Sequence, residues 1–222
     1  MADRELSGAV VAVVGATGGL GTEICRALGE RGCTVIRVNR SGGDGVDLAV
    51  DVRDARAGDA LVALATERHG RLDGVVDAAG IVAFGDLADT DDVVIEELFL
   101  TNAMGPMWLA KRVAPMLRDS QGFFVNISGV VAESPMPGMA AYSASKAAAA
   151  AAMEAVRREL RRGKVQVIDA RPPHTETGLA TRPLAGSAPK MPDGLSPQVV
   201  AERIVAAIVA GEPVVAPDAF TP

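Results

Sequence analysis

The sequence predicts an α/β fold in which a doubly wound parallel sheet of about seven strands carries helices on both faces. Strand-like and helix-like segments alternate almost to the end of the 222 residues. The connections between strands are long enough for the right-handed crossovers that parallel strands require. The strand-like runs are apolar and lack polar alternation, which is typical of strands covered on both faces.

The strands are predicted from short runs of Val, Ile, Ala and Phe. The first is VVAVV at 10–14, and it is followed directly by a glycine-rich turn. Further strands are predicted over 34–38, 46–50, 74–77, 123–127, 165–168 and 213–215. No linker interrupts the alternation, so residues 1–222 are expected to form a single Rossmann-type domain.

The helices are predicted from apolar residues at helical spacing, over 22–30, 54–69, 91–117, 142–162 and 196–210. In the second of these, Leu61, Leu64 and Ala65 share one face. In the third, a bend is expected near Gly105-Pro106. In the fourth, six consecutive alanines at 147–152 favour a narrow helix that can pack closely on the sheet.

Composition excludes several classes of function. The net charge of −6 argues against a nucleic-acid partner, and no apolar stretch is long enough for a membrane span. The charged start of the chain is unlike a signal peptide, so a cytoplasmic protein is expected. Cys25 and Cys33 suggest neither a disulfide framework nor a metal cluster, and His69 and His174 lack ligand spacing, so no metal site is expected.

The turn after the first strand is the first candidate site. Glycine allows tight backbone geometry and close approach of a pyrophosphate, and the helix that begins near Gly19 directs free N–H groups at an anion. Two glycine patterns fit: Gly15, Gly19 and Gly21 match G-x-x-x-G-x-G, whereas Gly15, Gly18 and Gly21 match G-x-x-G-x-x-G. An ordinary turn can also be glycine-rich, but this position between the first strand and the first helix favours a dinucleotide.

The end of the second strand indicates which dinucleotide binds. An acidic residue there would accept hydrogen bonds from the adenosine ribose, whereas a basic one would favour its 2′-phosphate. The chain has Asn39, Arg40 and Ser41, with no acid among them. Arg40 could be a solvated loop residue, but its position predicts NADP(H) rather than NAD(H).

Tyr142 and Lys146 are the candidates for proton transfer. They are spaced i and i+4 on a predicted helix, so their side chains lie on one face. A nearby ammonium is expected to lower the pKa of a phenol, which can then exchange a proton with a carbonyl oxygen. The same spacing also occurs by chance, with a solvated Lys as the usual explanation, but its place on the helix after the fifth strand favours proton exchange with a carbonyl oxygen.

The chain resembles the short-chain dehydrogenase/reductase family over almost its whole length, and it is most similar to its short, single-domain branch, which includes 3-oxoacyl-carrier-protein reductases. The segments that carry the resemblance are Gly15-x-x-x-Gly19-x-Gly21, Asp51-Val52, Ala78-Ala79-Gly80, Asn102, Tyr142-x-x-x-Lys146 and the run from Pro172 to Thr177. The chain departs from the usual pattern at Val14, where Thr is frequent, at Asp77-Ala78, where Asn-Asn is usual, and at Pro173, where Gly is usual.

The resemblance implies a role for each matched residue. Tyr142 is the general acid/base, Lys146 lowers its pKa and grips the ribose, and Asn102 supports the proton path. The implied cofactor-binding residues are Gly15, Thr17, Gly18, Gly19, Leu20, Gly21, Asn39, Arg40, Ser41, Asp51, Val52, Ala78, Ala79, Gly80, Tyr142, Lys146, Pro172, Thr175 and Thr177. Residues 178–197 are expected to form a substrate loop, and a homodimer or homotetramer is expected.

One family residue is missing. The position of the catalytic serine, counted back from the tyrosine, falls on Gly129. Ser128 or Ser134 could supply the hydroxyl after a local shift, or the enzyme could work slowly without it. Alternatively, the protein binds NADP(H) without turnover, as a sensor or partner subunit. The first two possibilities are favoured together, with Ser128 as the candidate catalytic residue.

Overall fold

The computed structural model describes residues 3–220, so positions 1, 2, 221 and 222 of the predicted domain lie outside the described residues. One parallel sheet of seven strands has the order β3-β2-β1-β4-β5-β6-β7. The strands are β1 Val10–Val14, β2 Thr34–Asn39, β3 Leu48–Ala49, β4 Gly74–Asp77, β5 Phe123–Ile127, β6 Gln166–Ala170 and β7 Val214–Val215. The predicted fold class is confirmed.

Six α-helices connect and flank these strands within residues 3–220. They are α1 Gly19–Glu30, α2 Ala57–His69, α3 Asp92–Phe99, α4 Gly105–Ser120, α5 Ala140–Leu160 and α6 Pro197–Ala210. The long segment predicted over 91–117 is interrupted where a bend was expected, because a π-helical turn over Leu100–Met104 joins α3 to α4. Asn102 lies within this turn, and π-turns of this kind are frequent at functional sites.

The core has two layers because both faces of the sheet are covered. Helices α1 and α6 pack on one face through residues such as Ile24, Leu28 and Ile204. Helices α2, α4 and α5 cover the other face, where Val113 and Met153 lie in the core. Neither face of the central strands meets water, which explains why their sequences lack polar alternation.

The connections of β1 determine where a site can form. Strand β1 pairs with β2 on one side and with β4 on the other, so the chain winds in opposite directions from this point. In open parallel sheets of this kind, ligands bind in the crevice beyond the carboxyl ends of the strands. The glycine turn after β1, the segment after β4 and the end of β5 all lie at this edge. In the part of the chain that the structure describes, no helix is long and apolar enough to cross a membrane.

Candidate functional site

A cavity of about 740 Å³ opens at the carboxyl edge of the sheet. This volume falls within the range of roughly 300–1,000 Å³ that is typical of small-molecule sites. Every residue for which the sequence predicted cofactor binding lines this cavity, from the glycine turn to Thr177. Glycine spacing, the end of β2 and the Tyr-Lys pair therefore converge on one place.

Three glycines of the turn are sterically required. Gly15 has a φ of +77°, and a Cβ atom on Gly21 would lie 2.1 Å from the carbonyl oxygen of Gly15. A Cβ on Gly19 would lie 2.7 Å from the carbonyl oxygen of Thr177, whereas one on Gly18 would keep 3.3 Å from its nearest neighbour. The structure thus favours the pattern Gly15, Gly19 and Gly21 over the alternative that the sequence left open.

The end of the cavity where the sequence predicts that adenosine binds contains a cluster of charged side chains. The sequence did not reveal this cluster. Arg40 is exposed and lines the cavity at the end of β2. Asp51 also lines it, but its carboxylate accepts hydrogen bonds from Arg53, from the backbone N–H at 2.9 Å, from Nε at 3.0 and 3.1 Å, and from Nη2 at 2.6 Å. Arg53 also pairs with Glu97 and is the main cause of the lowered pKa of Asp51. The only signal in the sequence was the i, i+2 spacing of Asp51 and Arg53.

Tyr142 and Lys146 line the same cavity from the first turns of α5. Burial raises the pKa of Tyr142 to about 12, and the Nζ of Lys146 donates a hydrogen bond of 2.7 Å to the carbonyl oxygen of Ile127. The lowering of the phenol pKa by Lys146 therefore stays a prediction, because burial sets the direction in this structure. Burial dominates, and it also lowers the pKa of Lys146 itself.

Asn102 is buried, and its side chain forms hydrogen bonds with the backbone beside the cavity. Its Oδ1 accepts from the N–H of Ile81 at 3.0 Å, and its Nδ2 donates to the carbonyl oxygen of Ile81 at 2.9 Å. The same Nδ2 donates to Oγ of Ser145 at 3.1 Å. The side chain thus ties the segment after β4 to α5, and it is absent from the residues that line the cavity between positions 3 and 220.

Ser128 lines the cavity, but its hydroxyl is already hydrogen-bonded within the sheet. The residue is 0% exposed, and its Oγ donates to Oδ2 of Asp169 at 2.9 Å. A catalytic role for Ser128 therefore stays a prediction, since in this structure its hydroxyl is bound to a buried carboxylate on β6. The other candidate, Ser134, is exposed and lies outside the described lining of the cavity.

The backbone explains why glycine stands at position 129. Gly129 has a φ of +78° and a ψ of 166°, a conformation that residues with a Cβ rarely adopt. Its N–H donates to the carbonyl oxygen of Ala170 at 3.2 Å. A Cβ would have room, since its nearest neighbour would be the carbonyl oxygen of Pro172 at 3.7 Å. Backbone strain, and not lack of space, opposes a serine here.

The predicted substrate loop lines the cavity through Leu179, Leu184 and Met191. It is tied to the segment after β4, because the N–H of Leu184 donates to the carbonyl oxygen of Val82 at 2.7 Å. Apolar side chains that the sequence analysis missed complete this end of the cavity: Val82, Phe84, Val131, Met136 and Met139. They come from distant segments, and only the fold brings them together.

The described residues contain no candidate metal site, and one histidine lines the cavity. Among residues 3–220, no group of three or more His, Cys, Asp or Glu side chains could hold a metal ion. The Nε2 of His174 lies 3.2 Å from Oε1 of Glu176, and His174 lines the cavity.

The amino-acid sequence matches a family model described as short chain dehydrogenase over residues 9–185. A curated relative, the ketoacyl reductase HetN of Nostoc sp., is 32% identical over 219 residues, which cover 91% of this chain and 76% of the relative.

Solved structures of short chain dehydrogenases are similar to this chain over most of its length. A short chain dehydrogenase from Burkholderia cenocepacia in complex with NADP superposes with a TM-score of 0.83 at 25% identity, covering 96% of this chain and 89% of the other. A short chain dehydrogenase/reductase from Burkholderia phymatum in complex with NAD has a TM-score of 0.85 at 22% identity, covering 96% and 90%, and at this identity it supports the fold alone.

Proposed function

This chain belongs to the short chain dehydrogenase family, and from that premise we propose that it is an NADP(H)-dependent oxidoreductase for a small carbonyl or alcohol substrate. One observation carries the proposal: Tyr142 and Lys146 line the same cavity as the glycine turn and Arg40. A proton donor, a buried ammonium and a phosphate-binding turn thus share one space.

The residues present fit a nicotinamide dinucleotide. Gly15, Gly19 and Gly21 allow close backbone approach at the turn, and the first N–H groups of α1 favour an anion. The ammonium of Lys146 suits the ribose hydroxyls. Thr177, whose backbone Gly19 approaches closely, suits the nicotinamide end.

The preference for NADP(H) rests on charge. Arg40 is exposed at the end of β2, and no acidic residue stands beside it in positions 39–41. Within residues 3–220, two carboxylates line the cavity, Asp51 and Glu97, and both are paired with Arg53. A 2′-phosphate would therefore meet a cation and no competing acid, which favours NADP(H).

The chain's own residues handle the proton. The bound cofactor would supply or accept the hydride, and Tyr142 would exchange a proton with the oxygen of the substrate. Burial holds the pKa of Tyr142 near 12, so the phenol stays protonated at neutral pH and can donate. Lys146 would bind and orient, and Asn102 would position the segment at Ile81.

The lining of the cavity supports an apolar substrate. Leu179, Leu184 and Met191 of the loop face it together with Met136 and Met139. We expect a ketone, an aldehyde or the 3-oxo group of an acyl thioester, with a hydrocarbon group on the reacting carbonyl. We also propose that residues 1–222 form a single domain. The protein would act in the cytoplasm as a homodimer or homotetramer.

A second candidate function is binding of NADP(H) without turnover. The specific observation in its favour is that Ser128 is committed to Asp169 while position 129 is glycine. Loss of one donor to a developing oxyanion costs about 10²–10³ in rate. A protein of this kind would serve as a redox sensor or a partner subunit.

The test is NADPH oxidation, followed by absorbance, over a panel of ketones, aldehydes, quinones and 3-oxoacyl thioesters. Wild type and Tyr142→Phe are compared, and NADPH binding to each is measured by fluorescence. Turnover that is lost in Tyr142→Phe while binding persists supports the oxidoreductase. Binding without turnover in the wild type supports the second candidate, and absence of NADPH binding overturns both.

A further inference from the structure

Three polar side chains form a row across the middle of the sheet. Asp77 at the end of β4 pairs in register with Asn126 of β5, which pairs with Asp169 of β6. Residues paired laterally in a sheet share a face. Two positions earlier on each strand, Val75, Phe124 and Val167 lie in the core beneath α4 and α5. The polar row therefore lies on the face that α5 covers.

The two carboxylates of the row differ in their partners. Asp169 accepts from Nδ2 of Asn126 at 2.8 Å, from Ser128, and from Nε of Arg171 at 2.8 Å. Asp77 accepts from the N–H of Ala79 at 3.1 Å through Oδ1 alone. Its Oδ2 is buried and has no hydrogen-bond partner among residues 3–220. An uncompensated buried carboxylate oxygen is costly, so Asp77 needs a cation nearby.

Lys146 is the cation that lies over this row. Its Nζ donates to the carbonyl oxygen of Ile127, the residue that follows Asn126. A Cβ atom on Gly80 would lie 3.3 Å from the same Nζ, which places the ammonium between the end of β5 and the segment that follows β4. The charges of Asp77 and Asp169 both favour the ammonium, against the effect of burial.

We propose that Asp77 is a positioning residue whose carboxylate supplies the countercharge that keeps the buried Lys146 ammonium charged and directed at the cavity. This inference rests on the proposed function, in which Lys146 orients the cofactor. Asp169 contributes less because Arg171, Asn126 and Ser128 already satisfy it.

The charged and titratable groups that face Lys146 come from three elements. Asp77 ends β4, Asp169 lies on β6 and is paired with Arg171, and Tyr142 is on the same helix. Burial raises the pKa of Asp77 to about 6, and Lys146 opposes this shift. The countercharge is therefore present at neutral pH and is lost in acid.

A double-mutant cycle tests the pair without any ligand. Wild type, Asp77→Asn, Lys146→Met and the double variant are unfolded in urea near pH 7.5 and near pH 4.5, with Lys146→Gln as the substitute if the methionine variant does not fold. We expect a coupling of about tenfold in the unfolding equilibrium constant at the higher pH and little at the lower one. Absence of coupling at pH 7.5, or equal coupling at both pH values, overturns the proposal.

NADPH binding supplies the second readout. Affinity is measured by fluorescence from neutral to alkaline pH, and in Asp77→Asn the alkaline loss of affinity should begin about one pH unit lower, because Lys146 loses its proton sooner. The matched control is Asp73→Asn, at the opposite end of β4, where the buried carboxylate accepts from the N–H of Val10 at 2.8 Å.

The control variant should lose NADPH affinity at the same alkaline pH as the wild type. If Asp77→Asn also loses its affinity at the wild-type pH, the proposal is refuted. Failure of the wild type to bind NADPH at any pH would instead overturn the proposed function. The unfolding cycle would then still decide whether Asp77 and Lys146 are coupled.

Discussion

The hydroxyl of Ser128 donates to the carboxylate of Asp169 across β5 and β6, at 2.9 Å and fully buried. The bond belongs to a network with Asn126 and Arg171. We infer that Ser128 stabilises the end of the sheet and takes no direct part in proton transfer.

Replacing Ser128 by Ala should therefore lower stability more than rate. Removal of the donor leaves the buried Asp169 with one partner fewer, which costs about 1–3 kcal/mol. Urea unfolding measures this loss, and kcat with the best substrate should change less than about threefold, against the 10²–10³ expected for an oxyanion donor. A drop in kcat of a hundredfold in a folded variant would return Ser128 to the catalytic residues.

The backbone at Gly129 gives the next prediction. Because φ is +78° with an extended ψ, Gly129→Ser should destabilise the protein by about 1–3 kcal/mol. Gly129→Ala is the matched control, since it introduces the same strain without a hydroxyl. Equal loss of stability in the two variants, measured in urea, confirms strain as the cause. A higher kcat in the serine variant than in the alanine variant would isolate the contribution of the hydroxyl.

The glycines of α1 should respond to alanine in opposite directions. In Gly21→Ala the new Cβ would meet the carbonyl oxygen of Gly15 at 2.1 Å, so the turn must move. We expect at least about a tenfold loss of NADPH affinity, the equivalent of about 1.4 kcal/mol. Gly29, in the same helix, has nothing within 4 Å of such a Cβ, and its replacement should stabilise by about 0.5–1 kcal/mol. Fluorescence titration and thermal unfolding of both variants check the pair, and unchanged NADPH affinity in Gly21→Ala would contradict the steric argument.

Sequence reasoning succeeded where the signal is local. Apolar runs such as Val10–Val14 predict buried strands, and the spacing of Gly15, Gly19 and Gly21 predicts the turn, because both depend on neighbouring residues. It failed where burial or distant contacts decide. The direction of the Ser128 hydroxyl depends on Asp169, which is distant in the sequence. The charge of Asp51 is paired by Arg53. Burial raises the pKa of Tyr142, an effect that its spacing from Lys146 does not reveal.

The buried Asp77 predicts an unusual dependence of stability on pH. Its pKa is raised from 3.8 to about 6 in the folded state, so the native state binds the proton more tightly than the unfolded state does. Stability from this group is therefore present below about pH 4 and is lost as pH rises through about 6. The loss is roughly 3 kcal/mol at 1.36 kcal/mol for each unit of pKa shift.

Asp77→Asn cannot titrate, so its stability relative to wild type should rise by about this amount between pH 4 and pH 7. Urea unfolding across this range measures the difference, and the gain would accompany the earlier alkaline loss of NADPH affinity proposed above. A constant difference between the two proteins at all pH values would show that Asp77 has an ordinary pKa.

Arg40 is the residue on which cofactor preference should depend. It is exposed and lines the cavity at the end of β2. Arg40→Ala therefore removes a charge-assisted contact to the 2′-phosphate of NADPH. Such a contact is worth about 1.5–3 kcal/mol, so the affinity for NADPH should fall roughly 10- to 100-fold. NADH, which lacks this phosphate, should bind equally to wild type and variant.

The matched control is Arg37→Ala, since Arg37 is exposed on β2 and lies outside the described lining of the cavity. Fluorescence titrations with both nucleotides at low and high salt separate the local contact from general charge effects, because a nonspecific effect would appear in both variants and fade with salt. Equal losses for NADPH and NADH in Arg40→Ala would mean that Arg40 acts on the shared part of the dinucleotide, and the preference for NADP(H) would lose its basis.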